Sequence, residues 1–299
     1  MGTASSPLLH ERGAAIRRLR VVSFQKELDR GSHRPALCQL EEPDGTPAGL
    51  WVVKPPVSIH ATEAREELQV LAEVVGAEVA TWCGLATPAM ATVIVDDVPE
   101  MLFRGRPKTL RDLWAANLGR VAYCSRFLPG AAEWEPGRHR EPPHGRDLMA
   151  AYGPRIMALD ALLLHHDRTA ERPNALEWAG RLVVIDHGGA FAQFTEQGAA
   201  LADVVASTRL VPVVFQSHFC AEALQKQRRP IDLSELVASV ASVTATEIDA
   251  FAARWPRELA RERTRSGHGI MEEMKAFLLA RRARAADVVA SLKEFLSNG

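Results

Sequence analysis

The chain has 299 residues, 47% apolar and 24% charged side chains and a net charge of −1, so it can bury a large core and carries no global field toward nucleic acid or a membrane surface. No apolar run approaches the length of a membrane span, and the residues after Met1 lack the charged-then-apolar order of a signal peptide, so the expected location is cytoplasmic. Cys38, Cys83, Cys124 and Cys220 are dispersed and form no CxxC pair, which argues for reduced, buried thiols rather than a zinc or disulfide framework.

In chain order, residues 1–18 are small and polar and are expected to fray. Residues 20–24 carry β-branched side chains and predict a strand. A turn at Gly31-Ser32-His33-Arg34-Pro35 leads into a second strand over 35–40. Asp44-Gly45 turns the chain back into a third over 49–54, stopped by Pro55-Pro56. Lys54 closes that strand, where a lysine ordinarily snorkels to solvent. Leu68, Leu71, Val75, Val79 and Trp82 recur at helical spacing, predicting a helix over 62–83 with Thr62 as its cap and Gly84 as its stop. Glu73 lies beside that stripe. Alone it reads as a surface charge, and with Lys54 as an ion-pair partner. Residues 91–95 predict a strand turned by Asp96-Asp97. The pattern over 107–128 is mixed and ends in a strand that leads to a hinge at Ser125 and Phe127. Residues 129–145, rich in Pro and Gly, predict a long loop with solvated His139 and His144.

Pro154 suits the first position of a helix that runs, buried, to His165. Asp167-Arg168 and Asn174 follow, then a hairpin over 175–178 and 181–185, then Asp186-His187-Gly188. Asp232 with Glu235, and Thr244 with Glu247, predict capping boxes on two helices. A final helix is expected over 269–296, with Arg281-Arg282-Ala283-Arg284 as its solvated face. Strands cluster before residue 125 and helices after it. That is an α+β pattern with a small sheet-containing lobe over 1–124 and a larger helical lobe over 125–299.

The chemistry lies in the two acidic loops. Asp167 and Asp186 stand at loop mouths braced by apolar segments, with the Asn174 amide between them. Such a set suits taking a proton from a hydroxyl and holding Mg²⁺ against phosphate oxygens. The series Asp167-Arg168-Thr169, Pro173-Asn174 and Ile185-Asp186-His187-Gly188, with Gly31-Ser32, Val53-Lys54, Glu73 and Phe127-Leu128-Pro129-Gly130, resembles the HipA-like kinases, relatives of phosphatidylinositol 3-/4-kinases and protein kinases.

That resemblance implies a bilobal protein-kinase-like fold and ATP and Mg²⁺ as cofactors. It implies Asp167 as catalytic base with Arg168 beside it and Asp186 as the principal metal ligand, with two alternatives for the second place: Asn174 takes over the metal, or Asp186 binds it alone. Gly31 and Ser32 would cover phosphate, Lys54 with Glu73 would hold it, and Ser125 and Phe127 would meet adenine. The expected acceptor is a hydroxyl of a protein Ser/Thr, of the chain itself or of a small molecule, with neither membrane nor direct nucleic-acid binding. Two departures stand out. Arg172 occupies the place, five residues after the base, where related kinases commonly carry a metal-binding asparagine, and His165 stands where asparagine is frequent. Two other classes stay open: a nucleotide-binding pseudokinase acting as an interaction module, and a metal-dependent phosphohydrolase built on His165-His166-Asp167, which needs an essentially all-helical chain.

Overall fold

The computed structural model describes residues 7–28, 34–56, 66–95, 108–135, 137, 144–191, 215–227, 231–261 and 269–298. Gly31, Ser32, Thr62 and His139 lie outside these residues.

Five strands close into a barrel. They are β1 (Arg17–Glu27), β2 (Ala36–Glu41), β3 (Pro47–Lys54), β4 (Met90–Ile94) and β5 (Val121–Arg126). The order is β1-β2-β3-β5-β4, and parallel pairing of β1 with β4 completes it. The Asp-Gly turn works as its letters suggest. Gly45 takes a φ of +86° and the Asp44 carboxylate accepts from Thr46 N at 2.9 Å. Inside the barrel, Leu19, Cys38, Trp51, Val53, Val93 and Cys124 form one apolar cluster. Strand alternation puts Lys54, next to buried Val53, on the opposite face. All four cysteines are free and buried, and burial pushes the Cys38 thiol up to about 12.

α1 (Glu66–Trp82) packs into a second cluster, shared with α3 (His144–Leu163), the hairpin and the C-terminal helices. Of the residues expected to fray, those described before β1, from residue 7 on, are docked. His10 N donates to Thr87 O and Ala89 N to Leu8 O, both at 2.9 Å. Buried Glu78 of α1 accepts from Gly13 N at 3.0 Å and meets His10 Nε2 at 2.8 Å.

Several local expectations are corrected. The mixed stretch contains α2 (Lys108–Ala116), and the long loop contributes β6 (Ala132–Glu133), which pairs with the hairpin strands β7 (Ala175–Trp178) and β8 (Arg181–Val184). Pro154 does not open α3, which starts at His144 and carries the proline inside. One lost backbone donor is tolerated there because tertiary packing holds the helix. Met149, Ile156, Met157, Leu159 and Leu163 are all fully buried.

The C-terminal part holds α4 (Ala221–Gln227), α5 (Ser234–Ser242), α6 (Ala245–Ala252), a 3₁₀ turn over Arg257–Arg261, α7 (Ile270–Ala283) and α8 (Ala285–Ser297). Thr244 and Glu247 form the expected capping box. Asp232 and Glu235 do not. Asp232 instead accepts from Ser234 N at 2.9 Å, and no side chain caps α5. The single final helix is broken at Arg284. Arg281, expected in solvent, is buried and donates Nε to Leu162 O at 3.0 Å and Nη2 to Ala161 O. Those carbonyls end α3, where a cation is favoured by the helix dipole. Burial, with Arg284 nearby, lowers the Arg281 pKa to about 10, which leaves it cationic. Among the described residues, no helix is long and apolar enough to cross a membrane.

Candidate active site

α3 delivers the first acidic loop through a tight stop. Leu164 takes a left-handed φ of +54°. This lets His165 N reach back to Asp160 O at 2.8 Å and Leu164 N to Ala161 O at 3.4 Å, the double closure of a Schellman ending. Glycine usually fills that position, and a leucine there is strained. Asn174 (φ +48°) and Asp186 (φ +55°) share the left-handed conformation, which their short polar side chains adopt more readily than most.

A buried network fixes both loops. Arg168, 1% exposed, donates Nε to Asp160 Oδ1 at 2.9 Å and Nη1 to Ile185 O at 2.9 Å and to Asn174 O. Its Nη2 donates to His187 Nδ1 at 3.0 Å. Asp160 Oδ2 is met by His218 Nε2 at 2.9 Å. Burial opposes ionisation of Asp160, but Arg168, then His165 and His218, hold its carboxyl well below the usual range. Sequence grouping places Arg168 with the base. In the fold it is enclosed, and all three of its nitrogens are engaged by acceptors of the chain itself. His165 Nε2 donates to Asp186 O at 3.1 Å, and burial lowers its pKa to about 4 despite nearby Asp160, leaving a neutral imidazole.

The second acidic loop faces α1 and β3. Lys54 Nζ donates to Glu73 Oε1 at 2.6 Å and to Asp186 Oδ1, while Glu73 Oε2 accepts from His187 N at 2.8 Å. Neither ordinary expectation survives for this pair. Glu73 is 2% exposed, and Lys54 reaches inward between two carboxylates. Burial and the adjacent Asp186 push Glu73 up, against the pull of Lys54.

Asp167 and Asp186 differ in environment. Burial and then Asp186 raise Asp167, with Arg172, His166 and Lys54 opposing. Asp186 also feels burial, yet Lys54 holds it well below the carboxylate range. The two carboxyls are thus pushed in opposite directions. Arg172 Nη1 lies 3.6 Å from Asp167 Oδ1.

Glycines keep the space open. A Cβ on Gly188 would lie 3.2 Å from both Glu73 Oε1 and Lys54 Nζ and 3.7 Å from Asp186 Oδ1. A Cβ on Gly76 in α1 would come within 2.3 Å of His187 Cβ, so the close approach of helix and loop requires glycine. Gly76→Ala is expected to destabilise the fold by about 1–3 kcal/mol through overpacking, and to shift the Glu73 and His187 contact. Urea unfolding checks this, and unchanged stability would mean the helix can slide away from His187.

Ser125 pairs with Val52 and Met90 in the barrel, and Phe127 N donates to Leu50 O at 3.1 Å, so both lie along β3, Ser125 nearer to Lys54 than Phe127. Asn174 immediately precedes the hairpin, and its buried Nδ2 has no partner among the described residues. Among the described residues, no group of three or more His, Cys, Asp or Glu could hold a metal ion by itself. That donor set does not suit a metal needing an all-protein cage. It does suit Mg²⁺, which takes one or two carboxylates together with waters and phosphate oxygens.

Gly76, Asp160 and His218 have no role assigned from the sequence, and Arg281 is expected in solvent. Asp160 carried a signal, being an acid inside the apolar run Leu159–Leu164, and Gly76 was a glycine in mid-helix. His218 lies beyond Phe215 with no local pattern to mark it.

A mixed α+β architecture with a lysine–glutamate pair facing two acidic loops defines a kinase-like fold. The chain is similar to the Helicobacter pylori proinflammatory kinase CtkA, at 10% identity and a TM-score of 0.52, covering 94% of this chain and 99% of that one. No family model matches the sequence, and no curated protein matches it.

Proposed function

We propose that the chain is an ATP-dependent phosphotransferase that moves the γ-phosphoryl group to a hydroxyl of a protein Ser/Thr, of itself or of a small molecule. The observation that carries this is the Lys54 ammonium held between Glu73 and Asp186, from positions far apart in sequence. In this reading the division near residue 125 separates two lobes. The barrel with α1 supplies the nucleotide end, and residues 125–299 supply the acidic loops.

Ser125 and Phe127 border adenine, Lys54 takes the nucleotide phosphates, and Gly31 and Ser32 cover them. Asp186, with Asn174, would hold Mg²⁺, which supplies neutralisation of charge on the β- and γ-phosphate oxygens when bound. Asp167 orients the acceptor hydroxyl and takes its proton, favoured by its raised pKa. Arg168 holds the Asn174 and Ile185 backbones so that base and ligand keep their spacing. The barrel strands run against the all-helical chain that a His-Asp phosphohydrolase needs.

Asp167→Asn is expected to slow phosphoryl transfer by about 10²–10⁴-fold while ATP affinity stays unchanged. Turnover with radiolabelled ATP, followed by phosphosite mapping, reads the first, and calorimetry the second. Retained turnover in the variant would exclude the assigned base. A wild-type chain that binds ATP without turnover would instead be a nucleotide-binding module.

A further inference from the structure

We propose that Arg172 is a built-in cation for the phosphoryl group in transfer, an inference that rests on the phosphotransferase reading above. The side chain is 72% exposed, with its guanidinium 3.6 Å from the Asp167 carboxylate. The backbone that presents it is closed into a hydrogen-bonded turn. Arg172 N donates to Thr169 O at 3.1 Å and to Thr169 Oγ1 at 3.2 Å, and Thr169 N returns a bond to Arg172 O at 3.1 Å. A closed turn therefore presents Arg172 beside the base, and among the described residues Asp167 is the acid its guanidinium meets.

A purely structural role explains little. An exposed, slightly long ion pair contributes little to stability. It also works against the base, since Arg172 lowers the Asp167 pKa that burial and Asp186 raise. The cost makes sense if the guanidinium has a second anion to meet. Among the described residues, Lys54 meets Asp186 and Glu73 on one side of the cleft, and Arg172 meets Asp167 on the other. A triphosphate entering between the carboxylates would meet Lys54 at its Asp186 side. On the Asp167 side, where the acceptor hydroxyl must stand, the cation is Arg172.

During transfer the acceptor oxygen forms a bond to the γ-phosphorus and gives its proton to Asp167. The bond from the γ-phosphorus to the bridging oxygen breaks, and its electron pair leaves with ADP. Negative charge spreads over the three outer phosphoryl oxygens, and a planar guanidinium can donate to two of them at once. An arginine supplied in this way within one chain is an established means of accelerating phosphoryl transfer.

The test compares wild type, Arg172→Lys and Arg172→Ala by calorimetric titration with ADP and Mg²⁺, with and without aluminium fluoride, whose planar complex mimics the phosphoryl group in flight. The exposed side chain makes folding of the variants secure, and thermal melting verifies it. Affinity for ADP alone should be unchanged in all three. The affinity gained on adding fluoride should be large in wild type, smaller in Arg172→Lys and lost in Arg172→Ala, with ATP turnover slowed about 10³-fold in the last. A full fluoride gain or wild-type turnover in Arg172→Ala overturns the proposal and leaves the phosphotransferase reading intact. A wild-type chain that binds ADP but gains nothing from fluoride also overturns it. A wild-type chain that binds no nucleotide overturns the phosphotransferase reading itself, before any substitution is made.

Discussion

Arg168→Ala is expected to destabilise the chain by about 3–5 kcal/mol, the cost of leaving a buried carboxylate without its cation. Arg168 and Asp160 are both enclosed, and their 2.9 Å contact is the centre of a network that also holds Asn174 O, Ile185 O and His187 Nδ1. Truncation leaves Asp160 with His218 as its side-chain partner and takes the guanidinium from Ile185 O and His187 Nδ1, while Asn174 O keeps its bond from Ile185 N. The sign of the pH dependence should change as well. In wild type the Asp160 carboxyl is held low, so its contribution is present above the unfolded pKa of about 3.9 and is lost as pH falls through the folded value. Without Arg168, burial dominates and the folded pKa rises above the unfolded one. The folded variant then binds the extra proton, and its stability declines as pH rises from about 4 toward neutrality. Urea unfolding at pH 5 and pH 7 separates the two. A loss below about 1 kcal/mol at pH 7, where such a breakage should cost most, would show that the network is not what holds the acidic loops.

The site was legible where local chemistry repeats a spacing. Lys54 at a strand end, Glu73 on the next helix, Asp167 after an apolar helix and Asp186 after a short hairpin could be read in order, and the fold brings Lys54, Glu73 and Asp186 into direct contact. What escaped was whatever depends on tertiary neighbours. Arg281 falls in a run of basic residues that matches a solvated helix face. It is buried because the last carbonyls of α3 need donors and α7 passes beside them. Pro154 carries the local signal of a helix start, yet packing of the residues around it extends α3 through the proline. Gly76 looks like a flaw in an otherwise regular helix until His187 is seen against it. In each case propensity described the isolated segment correctly and a neighbour distant in sequence changed the outcome.

Lys54→Met is the complementary experiment, because it removes the one ammonium shared by two carboxylates. Glu73 would remain buried beside Asp186, with His187 N as its remaining donor. Burial and Asp186 already push Glu73 up, and without Lys54 nothing of comparable strength opposes them. The variant is expected to lose about 3–5 kcal/mol at neutral pH if Glu73 stays ionised, and less if it takes a proton. A raised folded pKa makes that loss grow as pH rises above the unfolded glutamate value of about 4.3. Adding Glu73→Gln removes the stranded charge while keeping the side chain's size. The double variant should therefore recover most of the lost stability, which a double-mutant cycle measures as a coupling energy. Nucleotide affinity should not recover with it, since the double variant still lacks the cation proposed to hold phosphate. Recovery of both would mean that Lys54 neutralises Glu73 and does nothing for the ligand. Recovery of neither would place the cost of losing Lys54 on Asp186, the other carboxylate the ammonium touches.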